Sequence, residues 1–243
     1  MEYIPAKHIL IRTKSTAWFG TDHTMNLYRG CCHGCLYCDS RSDCYHIPDF
    51  DRVTAKADAL PLLRDELARK VRPAFIGMGS MSDPYTPFEE ELLLTRHALE
   101  LLDAYGFGAA IATKGDGITR DIDVLRCMRE HVPVLCKVTV TTTDAALAAR
   151  VEPNAPSPAR RLEAVARLAE AGLFAGVLLM PVLPFLEDNV ENVRAVAEAA
   201  AEAGARFVYP AFGMTLRDQQ REYYYQALEK GFPGLAERYR RQY

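Results

Sequence analysis

Apolar residues in this chain come in short solid runs, separated by stretches in which they recur every three or four positions. Six runs stand out: MNLY (25 to 28), AFIGMG (74 to 79), FGAAIAT (107 to 113), VPVLCKVTV (132 to 140), FAGVLLMPVL (174 to 183) and RFVYPAF (206 to 212). Runs that are apolar at successive positions are hidden on both faces, the habit of parallel strands covered by helices. The stretches between them have the helical period and readable ends. Thr86, Pro87 and Glu89 predict an N-cap, a first-turn proline and the far half of a capping box, with Phe88, Leu92, Thr95, Leu99 and Leu102 on one face and Gly106 at the close. Ser157 and Pro158 open a second helix, whose apolar face is Leu162, Val165 and Leu168 with Ala169 and whose end is Gly172. Val190, Val193 and Val196 mark a third, closed by Gly204. The runs recur at roughly 30 to 50 residues, the size of a strand with its crossover helix. The pattern therefore predicts a parallel α/β chain, either open and doubly wound or curled into a full or partial barrel.

Composition fits that picture and charge narrows it. With 243 residues, 49% of them hydrophobic, the chain is long enough for one α/β domain with a large core, and no low-complexity linker divides it. Lys and Arg number 29 against 32 Asp and Glu, so the molecule as a whole does not attract polyanions or anionic lipid, and such a partner needs a local basic patch. The apolar run Ile9 to Ile11 is too short for a secretory signal, and no run approaches a membrane span. The expectation is a cytoplasmic protein with no membrane contact. In a reducing compartment, seven cysteines that are bunched rather than spread predict thiolate ligands and not disulfides.

In parallel α/β folds ligands bind at the carboxyl ends of the strands. The first run leads into RGCCHGCLYCD (29 to 39), the second into Ser80, Ser82 and Asp83, the third into Thr113 and Lys114, the fourth into Thr139, Thr141 and Thr142, and the fifth into Met180 and Pro181. Taken singly, Ser82 and Asp83 before Pro84 make a turn, Lys114 heads a solvated KGDG loop, and the threonines are what strands favour. Placed together behind five successive strands, they describe a site. Cys31, Cys35 and Cys38 form CxxxCxxC, and Gly30 and Gly34 allow a tight loop around a bulky cluster. Three thiolates leave one iron of a [4Fe-4S] cluster without a protein ligand. Cys32 is read as a bystander, although 32, 35 and 38 also make CxxCxxC. Zinc is the other reading of the loop, with His33, Cys44 or His46 as fourth ligand. That reading makes the chain a metal-stabilised binding protein without radical chemistry. Glu152 and Arg161 predict either a mutual salt bridge or a ribose contact, Asp188 a helix cap, and Cys127 and Cys136 core positions.

With Tyr37 just before its last cysteine, the CxxxCxxC loop after the first strand resembles the radical S-adenosylmethionine (SAM) superfamily. MNLYRGCCHGCLYCD is similar to its spore photoproduct lyase-like branch in particular. The similarity runs on through SMSDPYTPFE (80 to 89), ATKGDGITRDIDVL (112 to 125), 138 to 164, MPVLPFLED (180 to 188) and GMTLRDQQREYYY (213 to 225). The resemblance implies a partial (βα)6 TIM-like barrel over residues 1 to 212, with a helical extension over 213 to 243 packed on it. It also implies a [4Fe-4S] cluster on Cys31, Cys35 and Cys38, reductive cleavage of SAM to a 5′-deoxyadenosyl radical, and a reductant such as flavodoxin or ferredoxin. For the cofactor it implies Ser82 and Asp83 near the methionine amino group, Lys114 on the carboxylate, and Thr139 and Thr141 on carboxylate or ribose. Glu152 and Arg161 would lie near the ribose, with Tyr37 and the backbone of Met180, Pro181 and Val182 at the adenine. Those lyases carry a hydrogen-donating cysteine where this chain has Met81, which has no thiol hydrogen to return. The substrate is therefore unassigned, with nucleic acid one candidate partner. The tail alternates Arg217, Arg221, Arg238, Arg240 and Arg241 with Tyr223, Tyr224, Tyr225 and Tyr239, but its acidic residues favour amphipathic helices packed on the barrel over a base-stacking surface.

Overall fold

Five of the six apolar runs each supply one parallel strand of a single sheet in the computed structural model, which describes all 243 residues, and the first, MNLY, gives that sheet only Met25 at the end of its strand. In chain order the first half holds β1 (Glu2–Ile4), β2 (Leu10–Arg12), β3 (His23–Met25), β4 (Tyr28–Arg29), β5 (Thr54–Lys56), α1 (Ala59–Ala68), β6 (Phe75–Met78), α2 (Glu89–Leu92), α3 (Leu94–Ala104) and β7 (Gly108–Thr113). The second half holds α4 (Ile122–Arg129), β8 (Val134–Thr139), α5 (Ala145–Val151), α6 (Pro158–Glu170), β9 (Phe174–Val182), α7 (Val190–Glu202), β10 (Val208–Phe212), α8 (Asp218–Gly231) and α9 (Leu235–Gln242).

The large sheet runs β10-β9-β8-β7-β6-β3-β2, and only the β2–β3 pair is antiparallel. Its parallel strands add in one direction without reversal. A doubly wound sheet reverses at a switch point, so this order is that of a barrel left open, with β2 and β10 as its edges. Ile76, Met78, Ala109, Ile111, Cys136, Val138, Ala175 and Val177 face the helices and join Leu99, Leu102, Leu125, Leu168 and Val196 in the main core. The alternate positions Gly77, Ala110 and Gly176 are small. Leu135, Leu178 and Lys137 are the larger residues there, and Lys137 is fully buried, with its ammonium 4.2 Å from the Phe19 ring centroid. Burial pulls that ammonium down to about 8. No helix is long and apolar enough to cross a membrane.

Several local expectations are corrected. The run MNLY does not form one strand: β3 ends at Met25, and Tyr28 belongs to β4 in a separate sheet of order β1-β5-β4. The helix expected from Thr86 starts at Glu89 and breaks at Leu93, whose φ is 52°. Glu89 explains the failure of its capping box. Its carboxylate is buried and accepts from the Tyr28 hydroxyl, from Thr95 N–H at 2.8 Å and from Arg120, so tertiary contacts take the group that the cap required. Ser157 caps α6 as expected, but Asn189 rather than Asp188 caps α7. Cys127 is exposed on α4, whereas Cys136 lies in the core.

The tail helices α8 and α9 cover the carboxyl-end face through a second apolar cluster. Tyr224, Tyr225, Leu228, Phe232 and Tyr239 pack there with Leu183, Val151, Cys35 and Tyr37. The Tyr239 hydroxyl donates to Pro184 O at 2.7 Å. Three of the tail's tyrosines are thus buried and unavailable to stack on bases.

Candidate functional site

The cysteine loop follows β4 and is pinned from three sides. Cys31 N–H donates to Phe50 O at 2.8 Å, Leu36 N–H to Val151 O at 2.9 Å, and Asn154 N–H to His33 O at 3.0 Å. The Gln220 side chain of α8 donates to Tyr37 O at 3.3 Å. Gly30 sits at φ 80°, where a Cβ would stand 2.5 Å from Arg52 O, so both its conformation and its neighbours require glycine. Gly34, at φ 70°, brings the loop against Pro153 and Asn154.

All seven cysteines are free. Cys31, Cys35 and Cys38 lie within electrostatic reach of one another, while Cys32 packs against the main core. Burial pushes the Cys31 thiol up to about 12 and raises Cys35 and Cys38 as well. Nearby polar groups of His33 and Ser40 favour the ionised form, yet burial outweighs them. The donor set is therefore one that ionises when a metal displaces the protons. As they stand, no three His, Cys, Asp or Glu side chains form a group that holds a metal ion. Three free thiols on one short loop, close enough to act on one another and on the Lys114 ammonium, are a donor set that fits an iron–sulfur cluster. Of the further zinc-ligand candidates, Cys44 and His46 are exposed, and His33 Nδ1 lies 3.5 Å from Asp83 Oδ2.

Beside the loop, a buried polar chain ties four elements together. The Tyr37 hydroxyl donates to Glu152 Oε1, Arg161 Nη2 donates to Glu152 Oε2 at 2.5 Å, and Lys114 Nζ lies 3.9 Å from Glu152 Oε1. Arg161 also donates to Pro156 O at 2.8 Å and to Thr139 O at 3.0 Å. Glu152 and Arg161 are thus paired, the first of their two expected arrangements. Burial alone would raise the Glu152 carboxyl, but Lys114 and Arg161 hold it below its ordinary value. Burial pulls Lys114 down, but the Glu152 carboxylate and, once ionised, Cys35 outweigh it and keep the ammonium charged. Its ammonium stands 5.4 Å from the Tyr37 ring centroid.

Asp83 is fully engaged. It accepts from Thr113 Oγ1 at 2.5 Å, Lys114 N–H at 2.8 Å and Tyr85 N–H at 2.9 Å, which locks the loop after β6 to the end of β7. Ser82 Oγ donates to Tyr28 O at 3.0 Å. Thr141 Oγ1 is buried and has no partner at hydrogen-bond geometry, and it lies beside the equally unpartnered Glu187 carboxylate oxygen. Val182 O already accepts from Gly213 N–H at 3.0 Å, so its carbonyl is shared with the segment after β10.

Glu187 was not singled out from the sequence. Its side chain is fully buried, with one carboxylate oxygen accepting from Leu183 N–H at 3.0 Å and the other unpartnered. The signal was an acid at the end of the apolar run LPFL, overshadowed by Asp188 as a cap. Burial foremost, with Glu152 adding to it, lifts its pKa from 4.5 to about 8. The folded protein then keeps a proton that the unfolded chain releases, and its contribution falls as pH rises from about 4.5 to about 8. Glu187→Gln should flatten that decline by at most about 1.4 kcal/mol per pH unit, measured by urea denaturation across the window.

The sequence pattern of the family described as the Radical SAM superfamily matches residues 25–197. Uncharacterized protein Rv2578c of Mycobacterium tuberculosis is 33% identical over 244 residues, which cover 98% of this chain and 72% of the relative. Uncharacterized protein MJ0683 of Methanocaldococcus jannaschii is 29% identical over 171 residues, covering 70% and 63%. Among solved structures, spore photoproduct lyase complexed with dinucleoside spore photoproduct superposes at a TM-score of 0.70 with 14% identity, over 96% of this chain and 68% of the lyase. A mutant of that lyase with bound AdoMet gives 0.66 over 91% of this chain, at 14% identity, and this chain spans 65% of its length. Streptococcus suis SuiB bound to its precursor peptide gives 0.52, at 13% identity, over 81% and 43%. These structural likenesses establish a shared fold.

Proposed function

The chain belongs to the radical SAM superfamily, and from that premise we propose that it is an enzyme that holds a [4Fe-4S] cluster on Cys31, Cys35 and Cys38, cleaves SAM reductively and abstracts hydrogen from a substrate. The observation that carries this reading is the gathering of three free thiols and the charged Lys114 on one strand-end face, with Tyr37, Glu152 and Arg161 locked beside them. When bound, the cluster supplies the electron that breaks the sulfur to C5′ bond of SAM, giving methionine and the 5′-deoxyadenosyl radical.

The chain's own part is to bind, orient and exclude water. Lys114 keeps its charge in a largely buried setting, which suits a charge-assisted contact to the methionine carboxylate. Glu152 and Arg161 restrain that ammonium and the end of β8, so in this reading they set the pocket's shape beside the ribose. The Ser82 hydroxyl donates to the backbone and retains acceptor capacity for the amino group, while Asp83 acts by fixing the loop. Thr139 and Thr141 complete the carboxylate and ribose contacts, with the Thr141 hydroxyl beside the Glu187 carboxylate. Tyr37, with its hydroxyl committed to Glu152, offers ring and backbone to the adenine alongside Met180, Pro181 and Val182. The tail helices, packed against Cys35 and Tyr37, shield the site from solvent.

Met81 leaves the lyase hydrogen-donor position without a thiol, and the solved neighbours hold a dinucleoside in one case and a peptide in another. The substrate is accordingly left open. Anaerobic reconstitution with iron and sulfide, followed by dithionite and SAM, should give methionine and 5′-deoxyadenosine. Absence of 5′-deoxyadenosine, or a colourless protein with stoichiometric zinc, would overturn the reading.

A further inference from the structure

The opposite face of the sheet, at the amino ends of its parallel strands, has a charge character that the whole chain lacks. A cleft of about 850 Å³ lies there, lined by Arg12, Lys14, Lys70 and Arg72, with Asp22 as its one acid. Acids outnumber bases in the chain, yet none of these four cations is in an ion pair, and the Asp22 carboxylate is occupied by Phe75 N–H at 2.8 Å. Lys70 Nζ lies 2.8 Å from His23 Nε2; the ammonium donates and the imidazole accepts, so the neutral ring holds the lysine toward the cleft. Four unpaired cations in a concave setting repel one another and lower their energy on meeting a polyanion.

An aromatic ledge adjoins the cleft on the same loop. Trp18 follows Thr16 by two residues, no farther than about 7 Å along the backbone. Its ring meets Tyr209 edge-on at 5.6 Å, and Phe174 stacks on Phe207 at 5.8 Å, beside the start of β10. Trp18, Tyr209 and Phe174 are 38%, 41% and 55% exposed, whereas Phe19 behind them rests on the buried Lys137 ammonium. Cations that track a backbone, next to partly exposed rings held by their neighbours, are the two elements of single-strand recognition. The cations select a polyanion, and the rings offer the flat faces of bases a stacking partner.

We propose that the amino-end face is a binding surface for single-stranded nucleic acid, with phosphates in the Arg12, Lys14, Lys70 and Arg72 cleft and bases on the Trp18 and Tyr209 ledge. This surface is remote from the cysteine loop and does not depend on the radical chemistry. Trp18 is the sole tryptophan, so its emission reports base stacking directly. Titrating the cluster-loaded enzyme anaerobically with a short fluorescent oligothymidylate, without SAM or reductant, should give saturable anisotropy and saturable quenching of Trp18. The double variant Lys14→Ala/Arg72→Ala should lower the slope of log affinity against log salt by about 0.7 for each lost phosphate contact. Trp18→Ala should weaken binding about tenfold while leaving that slope unchanged. An abasic oligomer should bind without quenching. Equal affinity in the double variant, no quenching by oligothymidylate, or preference for heparin or for phosphatidylserine vesicles would overturn the proposal. Production of 5′-deoxyadenosine by the double variant without substrate should equal that of the unmodified enzyme, which separates failure here from failure of the SAM reading.

Discussion

Cys35→Ala should abolish both the visible absorption of a reconstituted iron–sulfur protein and its production of 5′-deoxyadenosine, whereas Cys32→Ala should preserve both. The four cysteines are close in sequence but differ in surroundings. Cys35 is buried with Tyr37 in the apolar cluster under the tail helices and lies within electrostatic reach of Cys31, Cys38 and Lys114. Cys32 faces the main core, and its carbonyl is tied to the Asn154 side chain at 3.1 Å. Removing one of the three proposed ligands leaves two, too few to hold the proposed cluster. The alternative CxxCxxC spacing predicts the reverse dependence on Cys31 and Cys32. Iron content and 5′-deoxyadenosine yield for Cys31→Ala and Cys32→Ala, measured in parallel with Cys35→Ala, decide between the two sets. Retained cluster in Cys31→Ala with loss in Cys32→Ala would sink the present assignment.

The distinction between those cysteines marks what the sequence makes legible. Solid apolar runs reveal parallel strands because burial on both faces leaves no polar register, which made β6, β7, β8 and β9 readable, whereas β10 is largely exposed and only Met25 of the first run lies in the large sheet. The monotonic strand order was not, since pairing is a long-range property that no local pattern records. The two- and three-residue strands of the small sheet and the edge strand β2 are too short to show a period. Glu89 misled because its capping signature and its tertiary use compete for one carboxylate, and the buried contacts to Tyr28 and Thr95 win. At the site, residue types were visible but their partners were not. Asp83 and Glu152 are internal struts in the structure, a role that becomes apparent only when β7, β8 and the cysteine loop are brought together. The basic cleft was invisible for the same reason, its cations coming from segments that are 56 or more residues apart (Lys14 to Lys70).

Breaking the Glu152–Arg161 pair should be the most destabilising single change at the site that leaves the cysteines intact. Both side chains are almost wholly buried, and Arg161 satisfies Glu152, Pro156 O and Thr139 O at once. Arg161→Met removes all three bonds and leaves Glu152 with the Tyr37 hydroxyl and a distant Lys114. A buried ion robbed of its partner costs about 3–5 kcal/mol, or a fall in Tm of about 10 °C for a chain of this size. The pH dependence gives a second, independent signature. With its pKa held below 4.5 in the folded state, Glu152 contributes stability above that value, and the contribution is lost as acid protonates the folded carboxylate. Arg161→Met weakens that hold, so the acid loss should begin at higher pH than in the unmodified protein. Adding Glu152→Gln to Arg161→Met discharges the stranded carboxylate, and urea denaturation should recover part of the stability of the single variant at neutral pH. A double variant as unstable as the sum of the two singles would show that the pair is not coupled. Recovery would mean that the strand-end face is held by a charge balance internal to the chain. Lys114 would then keep its charge through that balance, as the proposed carboxylate contact requires.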